Sequence, residues 1–314
     1  MKVKRGDIYW IGKSEYRKTV GRRAKSPPFF YLTTLSKCCK ITALKQNKHR
    51  GGNEMPQRII FALQKGGVGK STSTVAVAEV MAAAGYKVLV VDFDSQGNAT
   101  KMLTKNSIYR YSGRTIMEAI KEGNADPYIL NIKPGLDLIP AEDKLALFPQ
   151  HIYTNNIKAP YAVLKRVLAP IEGRYDFVFV DVGPTLGDNM INAIVYADRV
   201  YIPMDTGDFS MDAMVRFIKF VNDAREKRFT KAELGGIFLT MRDGRSTKYE
   251  REISEGLREA YGDLVLKTEI HRRVKIKEMS SEGVDVVAPA MEDYIDLTEE
   301  ILKQTRRKET HHEQ

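Results

Sequence analysis

The sequence has only two cysteines among its 314 residues, and they are adjacent, at Cys38 and Cys39. Adjacent cysteines suit neither a disulfide framework nor the paired spacing of zinc and iron–sulfur sites, which disfavours redox and metal-cluster functions. No apolar run approaches the roughly 18 residues that a bilayer-spanning helix needs, and no apolar segment follows the basic N-terminus as in a secretory signal. We therefore expect a cytoplasmic protein.

Acidic residues are scarce only at the start of the chain. Residues 1–54 hold 14 Lys and Arg against 3 Asp and Glu, whereas subtraction from the totals of 50 and 40 leaves 36 against 37 for residues 55–314. The net charge of +10 therefore belongs to this basic leader. It does not by itself indicate that the main body binds nucleic acid.

The basic leader, residues 1–54, shows no sustained helical or strand periodicity, which predicts disorder. Its end, "RGGNEM", can be back-translated to contain a bacterial ribosome-binding sequence before Met55, so a mis-assigned start codon is one hypothesis. The alternative is a genuine disordered arm that adds phosphate affinity. Under either hypothesis we expect one ATPase domain over residues 55–305 and a polar tail over 306–314.

From Arg58 onward, short apolar runs alternate with amphipathic segments; the runs include "RIIFALQ", "KVLVVDFD", "YDFVFVDV" and "RVYIPM". Continuous Val, Ile and Leu strands separated by helices predict an α/β fold, with a mostly parallel twisted sheet covered by helices on both faces. Ligands of such folds bind outside the carboxyl ends of the strands. The polar residues that follow each strand are therefore the candidates for function.

The stretch "KGGVGKST" lies between the first predicted strand and a predicted helix, which is the context of a phosphate-binding loop. Its glycines let backbone N–H groups approach phosphate, Lys70 can reach the β- and γ-phosphates, and Ser71 can ligate Mg²⁺. Gln64 stands where the common pattern has its first glycine, and an additional lysine, Lys65, follows it. The sequence predicts a P-loop NTPase whose nucleotide contacts are Gly66, Gly67, Val68, Gly69, Lys70, Ser71 and Thr72; a nucleotide contact of Lys65 is implied only by the family resemblance given below.

Three carboxylates lie at the ends of apolar strands. Asp92 and Asp94 are two residues apart and so emerge on the same side, where one can organise Mg²⁺ or its waters and the other can orient the attacking water. The alternative is a solvated turn, because Asp, Ser, Gly and Asn are turn formers. Asp181 ends the run "FVFVD" and is placed to hold Mg²⁺ through water.

These motifs together resemble the ParA/Soj family of partition ATPases, within the larger group that includes MinD. The family loop reads KGGVGKT/S, and its other two motifs are similar to "VLVVDFDSQGNAT" and "YDFVFVDVGPTLG"; the resemblance covers residues 57–303. It implies an ATP hydrolase that uses Mg²⁺ and forms a homodimer around ATP. A ParB-like centromere-binding partner is implied to stimulate slow hydrolysis.

The resemblance also implies residue roles. Lys65 reaches the phosphates of the other subunit, Lys70 acts with it on the triphosphate, and Asp94 activates water. Ser71 and Asp181 hold Mg²⁺, Asp181 through water.

Departures from the family pattern leave the adenine contacts unassigned. Gly183 and His271 stand where the family has Pro, and Asp205 and Gly207 stand where Gln and Glu are common.

The loops near the C-terminus carry isolated basic residues, and the resemblance implies sequence-independent DNA binding through Arg245 and Lys275 and a nucleoid-associated protein. The alternative for each is a solvated surface balanced by nearby acids. The other basic residues of these loops are Arg242, Arg272, Arg273 and Lys277.

A second function weighed from the sequence is a MinD-like membrane-associated positioning ATPase, which needs a basic amphipathic anchor at the C-terminus. In residues 291–314, acidic residues are concentrated at the start and basic residues toward the end, as in a packed terminal helix. We therefore expect no stable membrane anchor and favour an ATP-dependent DNA-segregation ATPase.

Overall fold

The computed structural model describes residues 40–45, 55–242, 247–273 and 283–312; for Asp208 and residues 306–312 it describes only the backbone. Within these residues the chain forms a seven-stranded sheet of order β3-β4-β2-β5-β1-β6-β7. All neighbouring strands are parallel except β3, which runs antiparallel to β4 at one edge. The strands are β1 (Gln57–Phe61), β2 (Val88–Asp92), β3 (Leu130–Lys133), β4 (Leu136–Ile139), β5 (Phe177–Asp181), β6 (Arg199–Met204) and β7 (Glu233–Leu239).

Helices cover both faces of the sheet, which confirms the predicted P-loop α/β architecture. Among the described residues, the first helical segment covers residues 40–45 and is called α1. The others are α2 (Lys70–Ala83), α3 (Asn98–Thr104), α4 (Ile116–Glu122), α5 (Phe148–Thr154), α6 (Val163–Glu172), α7 (Asp188–Tyr196), α8 (Asp208–Glu226), α9 (Lys248–Tyr261) and α10 (Glu292–His312).

The sheet separates two apolar cores. One core joins the strands to α4 through α9, and the other joins them to α1, α2, α3 and α10. Adjacent residues of β1 point to opposite cores, Ile60 to the first and Ile59 to the second. Every residue of β2 and β5 is buried, because these central strands are covered on both sides, and this explains their uninterrupted apolar sequences.

The expectation of disorder over residues 1–54 does not hold for α1. Ile41 and Leu44 are 8% and 4% exposed and belong to the core beside α10. Lys40 Nζ lies 2.5 Å from Asp296 Oδ1 on α10. Apolar residues three apart share one helical face, but a single pair gives no periodicity that the sequence could reveal. Part of the leader therefore packs on the domain predicted to begin at Met55.

The C-terminal segment forms a packed helix, as predicted. The apolar residues of its stripe are buried: Met291, Tyr294, Ile295, Ile301 and Leu302. The helical backbone continues through His312, so no change of structure marks the boundary predicted after residue 305. No helix among the described residues combines the length and the hydropathy that a bilayer span requires.

Candidate functional site

The glycine-rich loop joins β1 to α2 at the carboxyl edge of the sheet. Gly67 and Gly69 have φ angles of 77° and 82°, in the left-handed region that glycine adopts without strain. Gly69 is the N-cap of α2, so the loop delivers the chain directly into the start of that helix. A methyl group on Gly66 or Gly67 would meet nothing within 4 Å, so this backbone faces open space. Open N–H groups at a helix N-terminus form an anion-binding site.

A cavity of about 620 Å³ lies over this loop. That volume is within the range of small-molecule sites. The cavity brings together the predicted contacts Gly66, Gly67, Gly69, Lys70, Ser71 and Thr72 with Asp94 from the loop after β2. Sequence reasoning missed several further lining residues: Gln96, Asn98, Lys101, Met102, Val182, Pro184 and Met241.

Two of the predicted nucleotide contacts do not line this cavity. Val68 is fully buried in the core, and its carbonyl oxygen accepts a hydrogen bond of 3.0 Å from Thr240 Oγ1. The buried side chain and this bond anchor the loop to the residue after β7, which leaves the backbone N–H of Val68 available to a ligand. Lys65 is the other predicted contact that does not line the cavity, and its side chain contacts Asp205 and Ser210 instead.

Lys70 is the cation inside the site. Its side chain is only 7% exposed, and its Nζ donates a hydrogen bond of 2.5 Å to the carbonyl oxygen of Lys65. Burial lowers the pKa of Lys70, and the carboxylates of Asp181 and Asp94 partly oppose this effect. The ammonium is thus held at the loop by the backbone and by two facing acids.

Asp181 is fully buried at the end of β5, and neither carboxylate oxygen has a partner with good hydrogen-bond geometry among the described residues. Burial raises the pKa of Asp181 well above its usual range, the carboxylate of Asp92 raises it further, and the hydroxyl of Ser71 opposes them. A buried carboxylate is costly unless cations or hydrogen bonds compensate it, and the nearby Lys70 ammonium offsets only part of this cost, since the pKa of Asp181 is still raised. Two oxygen donors, Ser71 and Asp181, therefore fit Mg²⁺, which prefers one or two protein ligands plus phosphates and water.

Asp92 differs from Asp94, although both emerge on the same side of β2. Asp92 is fully buried, and its Oδ2 accepts hydrogen bonds of 2.7 Å from both the backbone N–H and the hydroxyl of Thr100. Burial raises the pKa of Asp92 to about 6. These bonds tie α3 to the end of β2, so Asp92 supports the loop that carries Asp94.

Asp94 is half-buried and faces the cavity. The one hydrogen bond that its carboxylate accepts among the described residues comes from the N–H of Gln96, at 3.1 Å. A Cβ on Gly183 would lie 3.1 Å from the Asp94 carboxyl carbon and oxygen Oδ2, which is tighter than ordinary contact. Glycine in place of the family's proline thus leaves room for this carboxylate beside the end of β5.

Lys65 turns away from the cavity and binds residues of its own chain. Its Nζ lies 3.1 and 3.3 Å from the two carboxylate oxygens of Asp205 and 2.7 Å from Ser210 Oγ. Burial alone would raise the pKa of Asp205, but hydrogen bonds from Ser210, the Gly207 N–H and Lys65 outweigh it and hold that pKa below its usual range. The sequence had shown Asp205 as a departure from the family pattern, whereas nothing in the sequence indicated a role for Ser210.

The two residues predicted to contact DNA, Arg245 and Lys275, lie outside the described residues, as does Lys277. Arg242 was grouped with them as a loop residue, and this grouping is wrong. Its N–H bonds to the carbonyl of Ile270, and its side chain is 5% exposed, with Nε 2.9 Å from Glu269. The residue belongs to a bridge beside the sheet, where its charge is neutralised internally.

Residues 56–234 match the AAA domain family. The chromosome-partitioning ATPase Soj of Treponema pallidum is 32% identical over 234 residues, which cover 74% of this chain and 89% of that protein. The chromosome partitioning protein ParA of Caulobacter vibrioides is 30% identical over 262 residues, which cover 80% and 96%. The crystal structure of a plasmid partition protein from Borrelia burgdorferi is 26% identical, with a TM-score of 0.64, over 81% of this chain and 100% of that chain.

Proposed function

Because this chain belongs to the ParA/Soj family of partition ATPases, we propose that it is an ATP-dependent DNA-segregation ATPase. Its ATP-bound homodimer binds DNA without sequence preference, and a ParB-like centromere-binding partner stimulates its slow hydrolysis. The observation that carries the proposal is the cavity at the carboxyl edge of the sheet. There the glycine-rich loop and a buried lysine meet a buried aspartate whose oxygens accept no well-formed hydrogen bond from the described residues, around a volume that suits a nucleotide.

Each side chain of the cavity has a place in this proposal. The loop N–H groups and Lys70 bind the β- and γ-phosphates, because they present positive charge at the start of α2. Ser71 and Asp181 hold Mg²⁺, with Asp181 acting through water. Bound Mg²⁺ supplies neutralisation of the phosphate charge that develops during transfer.

Asp94 orients the attacking water. Its carboxylate faces the cavity and accepts only one weak local hydrogen bond among the described residues, so it retains acceptor capacity for a water molecule. Asp92 lacks that capacity, because Thr100 occupies its oxygen Oδ2 and burial encloses the group. The structure thus favours Asp94 over Asp92 for this role.

Lys65 acts in the homodimer, where it reaches the phosphates of the other subunit. In the single chain its ammonium is bound to Asp205 and Ser210. Formation of the dimer therefore requires Lys65 to leave these two partners. ATP supplies the negative charge that replaces Asp205, which links dimerisation to the bound nucleotide.

DNA binding by this dimer uses cations on loops near the C-terminus, with Arg245 and Lys275 proposed as two of them, and gives a nucleoid-associated protein. The MinD-like alternative finds no support among the described residues of α10, because the apolar side chains that a membrane anchor would need are buried in the core. We keep the DNA-segregation function as the proposal.

The test compares DNA binding by the full chain with ATP, with ADP and without nucleotide. Wild-type protein should bind duplexes of unrelated sequence equally, and only with ATP. Lys70→Ala should lose ATP binding, because it removes the cation that meets the phosphates, whereas Lys121→Ala removes an exposed lysine paired with Glu118 and should retain it. Equal DNA binding in ADP and ATP, or near-normal ATP affinity of Lys70→Ala, would contradict the proposal.

A further inference from the structure

A second basic surface lies outside the C-terminal loops, between the end of α3 and the start of α4. Residues 95–117 contain no Asp or Glu. Their four cations are all exposed, and none forms an ion pair with another described residue. These cations are Lys101, Lys105, Arg110 and Arg114. Since the main body is close to neutral, this local excess is not a consequence of its overall charge.

The backbone that carries these cations is held against the rest of the domain by packing and by a hydrogen bond. Lys105 ends α3 with φ 57°, and a 3₁₀ turn follows at Ile108–Tyr111. Ile108 packs where a side chain on Gly97 would stand, so the turn sits on the loop that carries Asp94. Tyr109 donates a hydrogen bond of 2.6 Å to Asp143, while its ring remains 61% exposed. The cations therefore project from a backbone segment that is fixed relative to the domain.

The surface extends from the nucleotide cavity toward the C-terminal part of the domain. Lys101 lines the cavity, one helical turn before Lys105. The side chain of Lys105 fills the space that a side chain at Gly283 would need, so these two residues are in contact. We define the α3–α4 patch as Lys105, Tyr109, Arg110 and Arg114.

We propose that the α3–α4 patch contacts DNA phosphates. The proposal rests on the proposed function and adds a DNA-contacting surface to Arg245 and Lys275. Phosphate contacts require only cations and hydrogen-bond donors, which this patch provides. Protein interfaces are also enriched in Tyr and Arg, but their cores are depleted in charged residues and centre on anchors that fill well-packed pockets. Here three of the four patch residues are cations and residues 95–117 contain no Asp or Glu, so the charge of the patch favours a polyanion over a protein.

The carboxylates bordering the patch are already engaged. Asp143 accepts from Tyr109, and Glu142 accepts from Ser112 Oγ at 2.6 Å and faces Lys144 at 3.5 Å. Because these two carboxylates already have partners, the three cations of the patch remain available to a polyanion.

The test uses the triple variant Lys105→Ala, Arg110→Ala, Arg114→Ala in the full chain, with Lys101 kept because it lines the cavity. DNA affinity in ATP is measured from 50 to 200 mM salt. Each subunit of the dimer loses up to three phosphate contacts, so the magnitude of the slope of log affinity against log salt should fall by about 2.7 if one patch contacts DNA and by about 5.4 if both do. The affinity defect at 50 mM should accordingly shrink by roughly 40-fold or roughly 1,800-fold at 200 mM. Nucleotide affinity should be unchanged.

The matched control is Lys121→Ala, Arg174→Ala, Lys303→Ala, which removes the same charge from cations paired with Glu118, Asp126 and Glu299. The control should keep the wild-type slope. A wild-type salt slope in the patch variant, or an equal reduction of the slope in both triple variants, would overturn the inference. Normal DNA binding with lost stimulation by a partner protein would overturn it as well and assign the patch to a protein. A wild-type protein that binds no DNA in ATP would refute the proposed function itself.

Discussion

Asp205→Asn should strengthen ATP-dependent dimerisation. The substitution keeps the size of the side chain but removes the charge that holds Lys65 within its own chain. The Lys65 and Asp205 side chains are 25% and 32% exposed, so solvent screens this pair substantially. Solvent-screened surface pairs contribute about 0.2–1 kcal/mol, and we take this range for Lys65 and Asp205.

Formation of the proposed ATP dimer releases two such pairs, one in each subunit. The dimer of the variant should therefore be stabilised by about 0.4–2 kcal/mol, which corresponds to a roughly 2- to 30-fold lower dissociation constant. Sedimentation velocity over a concentration series, with a non-hydrolysable ATP analogue, measures this constant. Asp212→Asn is the matched control, because it removes an exposed carboxylate from the same helix, α8, and should leave the constant unchanged.

A double-mutant cycle separates this explanation from a general effect of charge. Lys65→Ala should weaken the dimer, and Asp205→Asn should have no further effect in the Lys65→Ala background. An unchanged or weaker dimer in Asp205→Asn would refute the reasoning, as would an effect of the same size without Lys65.

Leu44→Asp should lower the melting temperature, because it places a charge in the core beside α10, whereas Ala43→Asp, on the exposed side of α1, should not; equal melting temperatures would show that α1 does not pack there. Gly183→Ala should slow ATP hydrolysis several-fold at unchanged ATP affinity, because its Cβ would displace the Asp94 carboxylate by a few tenths of an ångström. Gly187→Ala, whose Cβ would meet its nearest neighbour at 3.9 Å, is the control, and equal rates in the two variants would contradict this role of Gly183.

The parts of the fold and site that depend on local sequence could be predicted. Buried parallel strands have continuous apolar sequences, as in β2 and β5, so the sheet was visible without any tertiary information. The phosphate loop was visible because its glycines and lysine are consecutive. For the same reason the cavity contains most of the predicted loop residues together with Asp94.

The parts that depend on distant contacts could not be predicted. Lys65 and Asp205 are 140 residues apart and meet because β6 pairs with β1. Alternation along β2 places Asp92 and Asp94 on one side, and only the bonds from Thr100 to Asp92 distinguish them. The burial of Arg242 likewise depends on Glu269, which follows a whole helix later.

The helical segment 40–45 of α1 shows a different limit. Its two buried apolar residues stand in a basic segment whose composition is typical of disorder. Most helical stability in proteins comes from tertiary packing, so the contacts of Ile41 and Leu44 with the core beside α10 stabilise this segment. Such packing leaves almost no trace in the sequence.

The central claim is that this cavity hydrolyses ATP to control a DNA-bound dimer, and Asp94→Ala tests it most directly. In the proposed function Lys70 and the loop amides bind the ground-state triphosphate, whereas Asp94 is needed mainly to orient water in the transition state. We therefore expect the variant to bind ATP and dimerise as wild type does, to hydrolyse ATP slowly, and to remain on DNA in ATP after wild type has dissociated. Turnover at the wild-type rate, or a variant that stays monomeric in ATP, would contradict this account.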